Sequence, residues 1–157
     1  ARNIMVDHQQ SCKIGDFGLC RAIGKEEQMY HSQGGKLPLK WMSPEAIENY
    51  IFSTASDVWS YGILLFEITT LGGSPYADWP ASELLPRLKQ GHRMARPESC
   101  TQPLFEVMSD CWSDSPSNRP SCSNLRKRLG GFLEDVNQDD YYLKLNAQAN
   151  YYVLESE

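Results

Sequence analysis

Residues 54–73 limit the fold more than any other stretch of the chain. Thr54 and Asp57 have the spacing of a helix-opening capping box, and Val58, Trp59, Ile63, Leu64, Leu65, Phe66 and Ile68 then cover almost every face of the helix they would form. Gly72 and Gly73 stop it. A helix that is apolar all round has no face to give to water, so it belongs at the centre of its domain with other elements packed around it. Ser60, Tyr61, Gly62 and Glu67 interrupt the run, which falls far short of the roughly 20 apolar residues that a membrane-crossing helix requires.

The rest of the chain supplies the packing partners. Ser43 places a capping hydroxyl before Pro44, opening a short helix through Ile47. Residues 81–90, 103–112 and 121–134 read as amphipathic helices, the first kinked or shortened by Pro86. Residues 4–6 and 12–15 are short apolar runs around a polar turn, the pattern of a hairpin. Residues 17–37 have no sustained period, four glycines and charges at Lys25, Glu26 and Glu27, which predicts a long loop. Beyond Asp135 the chain is acidic and aperiodic, with Tyr141, Tyr142, Tyr151 and Tyr152 in two pairs, and reads as an extended, disordered tail. The expected architecture is mainly α with one small β-hairpin: a folded part over residues 1–134 and a tail over 135–157.

At 157 residues, with 41% hydrophobic and 22% charged, the chain can bury one real core. A net charge of −5 with scattered Lys and Arg argues against nucleic acid as a partner, because phosphate-backbone affinity needs a concentrated basic surface. Five cysteines, odd in number and without a C-x-x-C pair, fit neither a disulfide framework nor a zinc site, so a reducing setting is the simpler reading. The chain opens on Ala1 and is expected to be a piece of a longer protein.

The hairpin has a chemical consequence. If residues 4–6 pair antiparallel with 12–15, Asn3 and Asp16 lie together at the open end, and an amide oxygen beside a carboxylate suits Mg²⁺ when phosphates supply the remaining ligands. In isolation an Asn and an Asp-x-Gly are more often plain turn residues. Here Asp16-Phe17-Gly18 is followed, 26 residues after Phe17, by Ser43-Pro44-Glu45, then by Asp57-Val58-Trp59-Ser60-Tyr61-Gly62, Cys111-Trp112 and Asn118-Arg119-Pro120. In this order the motifs resemble those of the protein kinase family over residues 1 to 134, Ser43 standing where the family carries alanine. Ala1-Arg2-Asn3 resembles the end of the tyrosine-kinase catalytic loop in its receptor-type version, and the segment from Leu37 through Pro38, Lys40 and Trp41 resembles the tyrosine-kinase stretch that receives the substrate. Thr69-Thr70-Leu71-Gly72-Gly73 also points to receptor type.

The resemblance implies the C-terminal lobe of the kinase fold and transfer of the ATP γ-phosphate to protein tyrosines. It gives Asn3 and Asp16 the metal ions, Mg²⁺ between nucleotide and protein, with Phe17 packed against the core to set the direction of Asp16 and Gly18 completing the triplet. Arg2 would orient the catalytic aspartate and the incoming phenol, while Pro38, Lys40 and Trp41 would receive the substrate. Tyr30 would be an activating phosphorylation site paired with Arg21, and Glu45 with Arg119 a buried ion pair. Asp57 would bond the catalytic-loop backbone or serve only its own capping box. The family's catalytic base and nucleotide-covering lobe lie upstream of the chain, so the piece alone is expected to be inactive. The expected site is the cytoplasmic side of the plasma membrane, with membrane contact only through an upstream segment, or else the cytoplasm. Phosphorylated Tyr141, Tyr142, Tyr151 and Tyr152 would dock phosphotyrosine-reading domains, unless the tail is merely solvated. The competing reading is a pseudokinase or docking platform that transfers no phosphate.

Overall fold

The computed structural model describes residues 1–21, 30–31 and 37–134. Strands β1 (Ile4–Val6) and β2 (Cys12–Ile14) pair antiparallel with Ile4 opposite Ile14 and Val6 opposite Cys12, as the two apolar runs predict. Their turn is closed by Asp7, whose Oδ1 accepts the backbone N–H groups of Gln9 and Ser11, both at 2.9 Å, while Gln10 adopts a φ of 62°. These bonds, the one from Ser11 foremost, hold the Asp7 carboxyl below its ordinary pKa.

Helix α1 (Pro44–Asn49) follows Ser43 and runs two residues beyond the expected end at Ile47, stopping where Tyr50 adopts a φ of 55°. Strand β3 (Tyr30–His31) runs antiparallel to β4 (Ile51–Phe52), with Tyr30 opposite Phe52. The long loop expected over residues 17–37 thus carries one short strand among its described residues, and two-residue strands are too short to leave a period in the sequence.

Helix α2 (Thr54–Thr69) is the predicted central element, but its cap lies one residue earlier. Ser53 Oγ accepts the Ser56 N–H at 3.3 Å and Ser56 Oγ accepts the Ser53 N–H at 2.8 Å, so the capping box is Ser53 with Ser56 rather than Thr54 with Asp57. Thr54 is already helical, and a serine hydroxyl does at the third position what a longer side chain usually does. At the other end the Gly72 N–H donates to the Glu67 carbonyl at 2.7 Å, with Leu71 and Gly72 at φ 55° and 93°.

Buried residues of α3 (Ala81–Lys89), α4 (Gln102–Cys111) and α5 (Cys122–Glu134) join those of α2 in one hydrophobic cluster. Helix α3 continues through Pro86 to Lys89 and lies against α1, while α4 crosses α2 at Gly62. A Cβ on Gly62 would sit 2.6 Å from Trp112 Nε1 and 2.7 Å from Cys111 Cβ, so only glycine permits this approach. Trp59, Ile63, Leu84, Leu88, Val107 and Met108 are fully buried, each large aliphatic or aromatic side chain contributing about 1.5–3 kcal/mol of transfer free energy. Two guanidinium groups lie over the Trp59 ring, Arg93 at 4.8 Å and Arg119 at 5.1 Å from its centroid. Arg93 also donates to the carbonyls of Trp112 and Leu88, each at 2.9 Å, and pairs with Asp114.

All five cysteines are free thiols. Burial pushes Cys111 up to about 12, so it behaves as a core side chain rather than a nucleophile. Among the described residues no helix is long and apolar enough to cross a membrane.

Candidate active site

The hairpin ladder ends where the Gly15 N–H donates to the Asn3 carbonyl at 2.7 Å, and just beyond it the two predicted side chains meet. Asn3 Nδ2 lies 3.4 Å from Asp16 Oδ2. Asp16 holds a φ of 59°, a region that Asp tolerates better than most residues, and its Oδ1 accepts the Gly18 N–H at 3.3 Å. The hairpin on one side and this short turn on the other maintain the strained backbone and aim the carboxylate toward Asn3.

Both side chains open onto a cleft of about 610 Å³ that is also lined by Arg2, Leu19, Pro38 and Trp41. Five of the residues singled out in the sequence thus converge on one concavity: Arg2 and Asn3 from the chain before β1, Asp16 from the end of β2, and Pro38 and Trp41 from the 3₁₀ turn Leu39–Trp41 and the residue before it. Lys40 turns elsewhere, its Nζ donating to the Tyr76 carbonyl at 3.0 Å. Phe17 does not pack against the core as expected; the residue is 67% exposed, because Asp16-Phe17-Gly18 stands at the hairpin edge, away from the helical cluster.

Arg119 and Glu45 form a two-pronged pair, Nη1 to Oε1 at 2.6 Å and Nη2 to Oε2 at 2.9 Å. Burial opposes the Glu45 charge, but the Arg119 guanidinium and further hydrogen bonds outweigh it and hold the carboxyl below its ordinary pKa. The pair fastens α1, at the end of the cleft-lining segment, to the loop before α5. Asp57 lines a second cavity of about 290 Å³ with Arg21, Pro38 and Phe52. Its carboxyl is pushed up by desolvation, a rise limited by the water that still reaches its exposed side chain. Arg21 Nη1 donates to the carbonyls of Gly18 and Cys20. The Tyr30 backbone lies in β3, whereas its side chain and Tyr141, Tyr142, Tyr151 and Tyr152 fall outside the described residues.

One site residue escaped the sequence reading. Glu67 is buried on α2 and borders the same cleft, with its Oε2 accepting the Trp41 Nε1–H at 2.9 Å. The signal was present as the one carboxylate inside the apolar run, which a buried helix carries only when the charge has partners.

A sequence profile of the family described as protein tyrosine and serine/threonine kinase matches residues 1–129, and the chain belongs to that family. It is 49% identical over 146 residues to the tyrosine-protein kinase receptor torso of Drosophila melanogaster, covering 92% of this chain and 16% of that protein. It is 45% identical over 152 residues to fibroblast growth factor receptor 1 of Xenopus laevis, covering 97% of this chain and 19% of the relative. The torso receptor of Bombyx mori is 41% identical over 141 residues, 90% of this chain and 18% of its own length. The chain therefore spans less than a fifth of each of these relatives. Its helical body with a small antiparallel hairpin agrees with a lobe of the kinase domain.

Proposed function

We propose that residues 1–134 are the C-terminal lobe of a receptor-type tyrosine kinase that transfers the ATP γ-phosphate to protein tyrosines at the cytoplasmic face of the plasma membrane. The observation that carries this reading is the meeting of Asn3 and Asp16 on the cleft that Pro38 and Trp41 also line. The donor set suits Mg²⁺: one carboxylate and one amide oxygen, both hard ligands, on an exposed edge with room for phosphate oxygens and water. Asn3 and Asp16 would hold the ion, which when bound neutralises charge on the phosphates.

The chain's own residues do the positioning. Pro38 offers the acceptor a flat apolar surface beside the Trp41 ring, where a phenol gains more contact than a short hydroxyl side chain. Arg2 is exposed at the rim and makes no hydrogen bond or ion pair among the described residues, so its guanidinium is available to an incoming anion. The described cleft carries two carboxylates, Asp16 and Glu67, and Glu67 is engaged by Trp41. Neither serves to take a proton from a phenol, so we expect the 157 residues alone to turn over no substrate.

The test uses the kinase domain that contains this segment. Given ATP and Mg²⁺, it should phosphorylate tyrosyl peptides at least about a hundredfold faster than matched seryl peptides, the discrimination expected when a site is shaped for one acceptor. Phosphotyrosine mapped after the reaction should fall on Tyr30 and on the pairs Tyr141–Tyr142 and Tyr151–Tyr152, and the phosphorylated tail should bind phosphotyrosine-reading adaptor domains. Absence of transfer to any peptide would support a docking platform instead.

A further inference from the structure

Helix α2 holds Trp41 from two places. Ser60 Oγ donates to the Trp41 carbonyl at 2.8 Å, and Glu67 Oε2 accepts from the Trp41 indole at 2.9 Å. Ser60 and Glu67 are seven residues apart, so they lie on one face of the helix about 10 Å apart along its axis. Backbone and ring of a single residue are thus fixed at two marks on a rigid rod. The same Glu67 oxygen lies 2.6 Å from the nitrogen of Ala1, two residues before Asn3. Leu64, one turn before Glu67, lines the cleft between these contacts.

A buried carboxylate is a poor way to gain stability, since an apolar side chain of similar volume avoids its desolvation. What it supplies is direction: the indole N–H has one good acceptor, and meeting it sets the tilt of the ring against the cleft. We propose that Glu67 is a positioning residue for the tyrosyl peptide, acting through Trp41 to fix the height of Pro38 and the indole relative to Asn3 and Asp16. The proposal rests on the kinase reading above and extends it to acceptor binding. The hydrogen bonds of Glu67 reach Trp41 and Ala1 and neither Asn3 nor Asp16, so the two substrates should respond differently to its loss.

The experiment compares Trp41→Phe, Glu67→Leu, Glu67→Gln and the Trp41→Phe/Glu67→Leu double variant in the kinase domain that contains this segment. Trp41→Phe keeps the apolar ring and loses the donor; it should raise the peptide KM about tenfold and leave the ATP KM within about twofold. Glu67→Leu should do the same, Glu67→Gln should recover most of the loss because its amide oxygen still accepts, and the double variant should be no worse than either single one. An unchanged peptide KM in Trp41→Phe, equal shifts in both KM values, or additive losses would overturn the proposal. A wild-type domain that transfers no phosphate overturns both this proposal and the kinase reading, whereas an active domain with an unmoved peptide KM overturns only this one. Should Glu67→Leu not fold, Trp41→Phe and Glu67→Gln decide alone. As a readout independent of turnover, the indole ¹H–¹⁵N resonance of Trp41 should shift in Glu67→Gln while those of Trp59, Trp79 and Trp112 stay in place, and an unmoved Trp41 resonance overturns the contact.

Discussion

Replacing Asp16 by Asn in the kinase domain that contains this segment should lower phosphate transfer at least about a hundredfold while leaving the thermal midpoint nearly unchanged. The substitution separates charge from shape. Asp16 sits at φ 59°, and Asn is as tolerant of that region as Asp, so the backbone has no reason to move. The amide oxygen can still accept the Gly18 N–H that Asp16 Oδ1 accepts at 3.3 Å. The negative charge is lost together with the second oxygen, which faces Asn3 Nδ2 at 3.4 Å, and with them the attraction that holds a divalent ion next to Asn3. Steady-state rates with ATP over a range of Mg²⁺ concentrations measure the effect; turnover close to wild type would remove Asp16 from the metal site.

The largest stability effect belongs to Arg119. Its side chain is fully buried, and besides the two bonds to Glu45 it donates to the carbonyls of Ser113 and Ala55, each at 3.0 Å. Arg119→Leu would leave the Glu45 charge and both carbonyls without their donor, at a cost of about 3–5 kcal/mol, or a fall in Tm of roughly 10 °C or more. The pH dependence should change with it. Glu45 is depressed below its usual value of 4.5 in the folded state, so the folded protein binds fewer protons there than the unfolded chain. The stability this contributes is complete above that usual value and is lost as the pH falls through the lower folded pKa. Wild type should therefore lose stability more steeply than Arg119→Leu as the pH falls below 4.5, because in the variant Glu45 has no cation to protect its charge. Parallel melting curves across that range would refute the role given to the pair.

The hairpin and α2 were legible because their signals are long-range regularities: apolar runs around a polar turn, and a helical segment with no polar face. The meeting of Asn3 and Asp16 follows from hairpin register alone, which is why two exposed polar residues could be paired before any coordinates. The pairing of Tyr30–His31 with Ile51–Phe52 depends on a contact across twenty residues and leaves no period in either segment. The cap at Ser53 was misplaced by one residue, as happens where Ser53, Thr54 and Ser56 all offer hydroxyls. Phe17 was placed in the core by the family likeness, whereas the hairpin carries it to an edge where none of the clustered helices reaches. Glu67 was visible only as an irregularity, and its meaning required knowing that Trp41 folds back onto α2.

The position of Trp59 has a consequence for ionic strength. The cations that face its ring, Arg93 and Arg119, act at about 5 Å through low-dielectric contact, inside the roughly 8 Å over which physiological salt begins to screen. Exposed pairs such as Arg87 with Glu83 and Lys89 with Glu48 have no such shelter. Raising sodium chloride should erase the surface pairs and leave the indole clamp intact, so the helical body would melt at nearly the same temperature in dilute buffer and in brine.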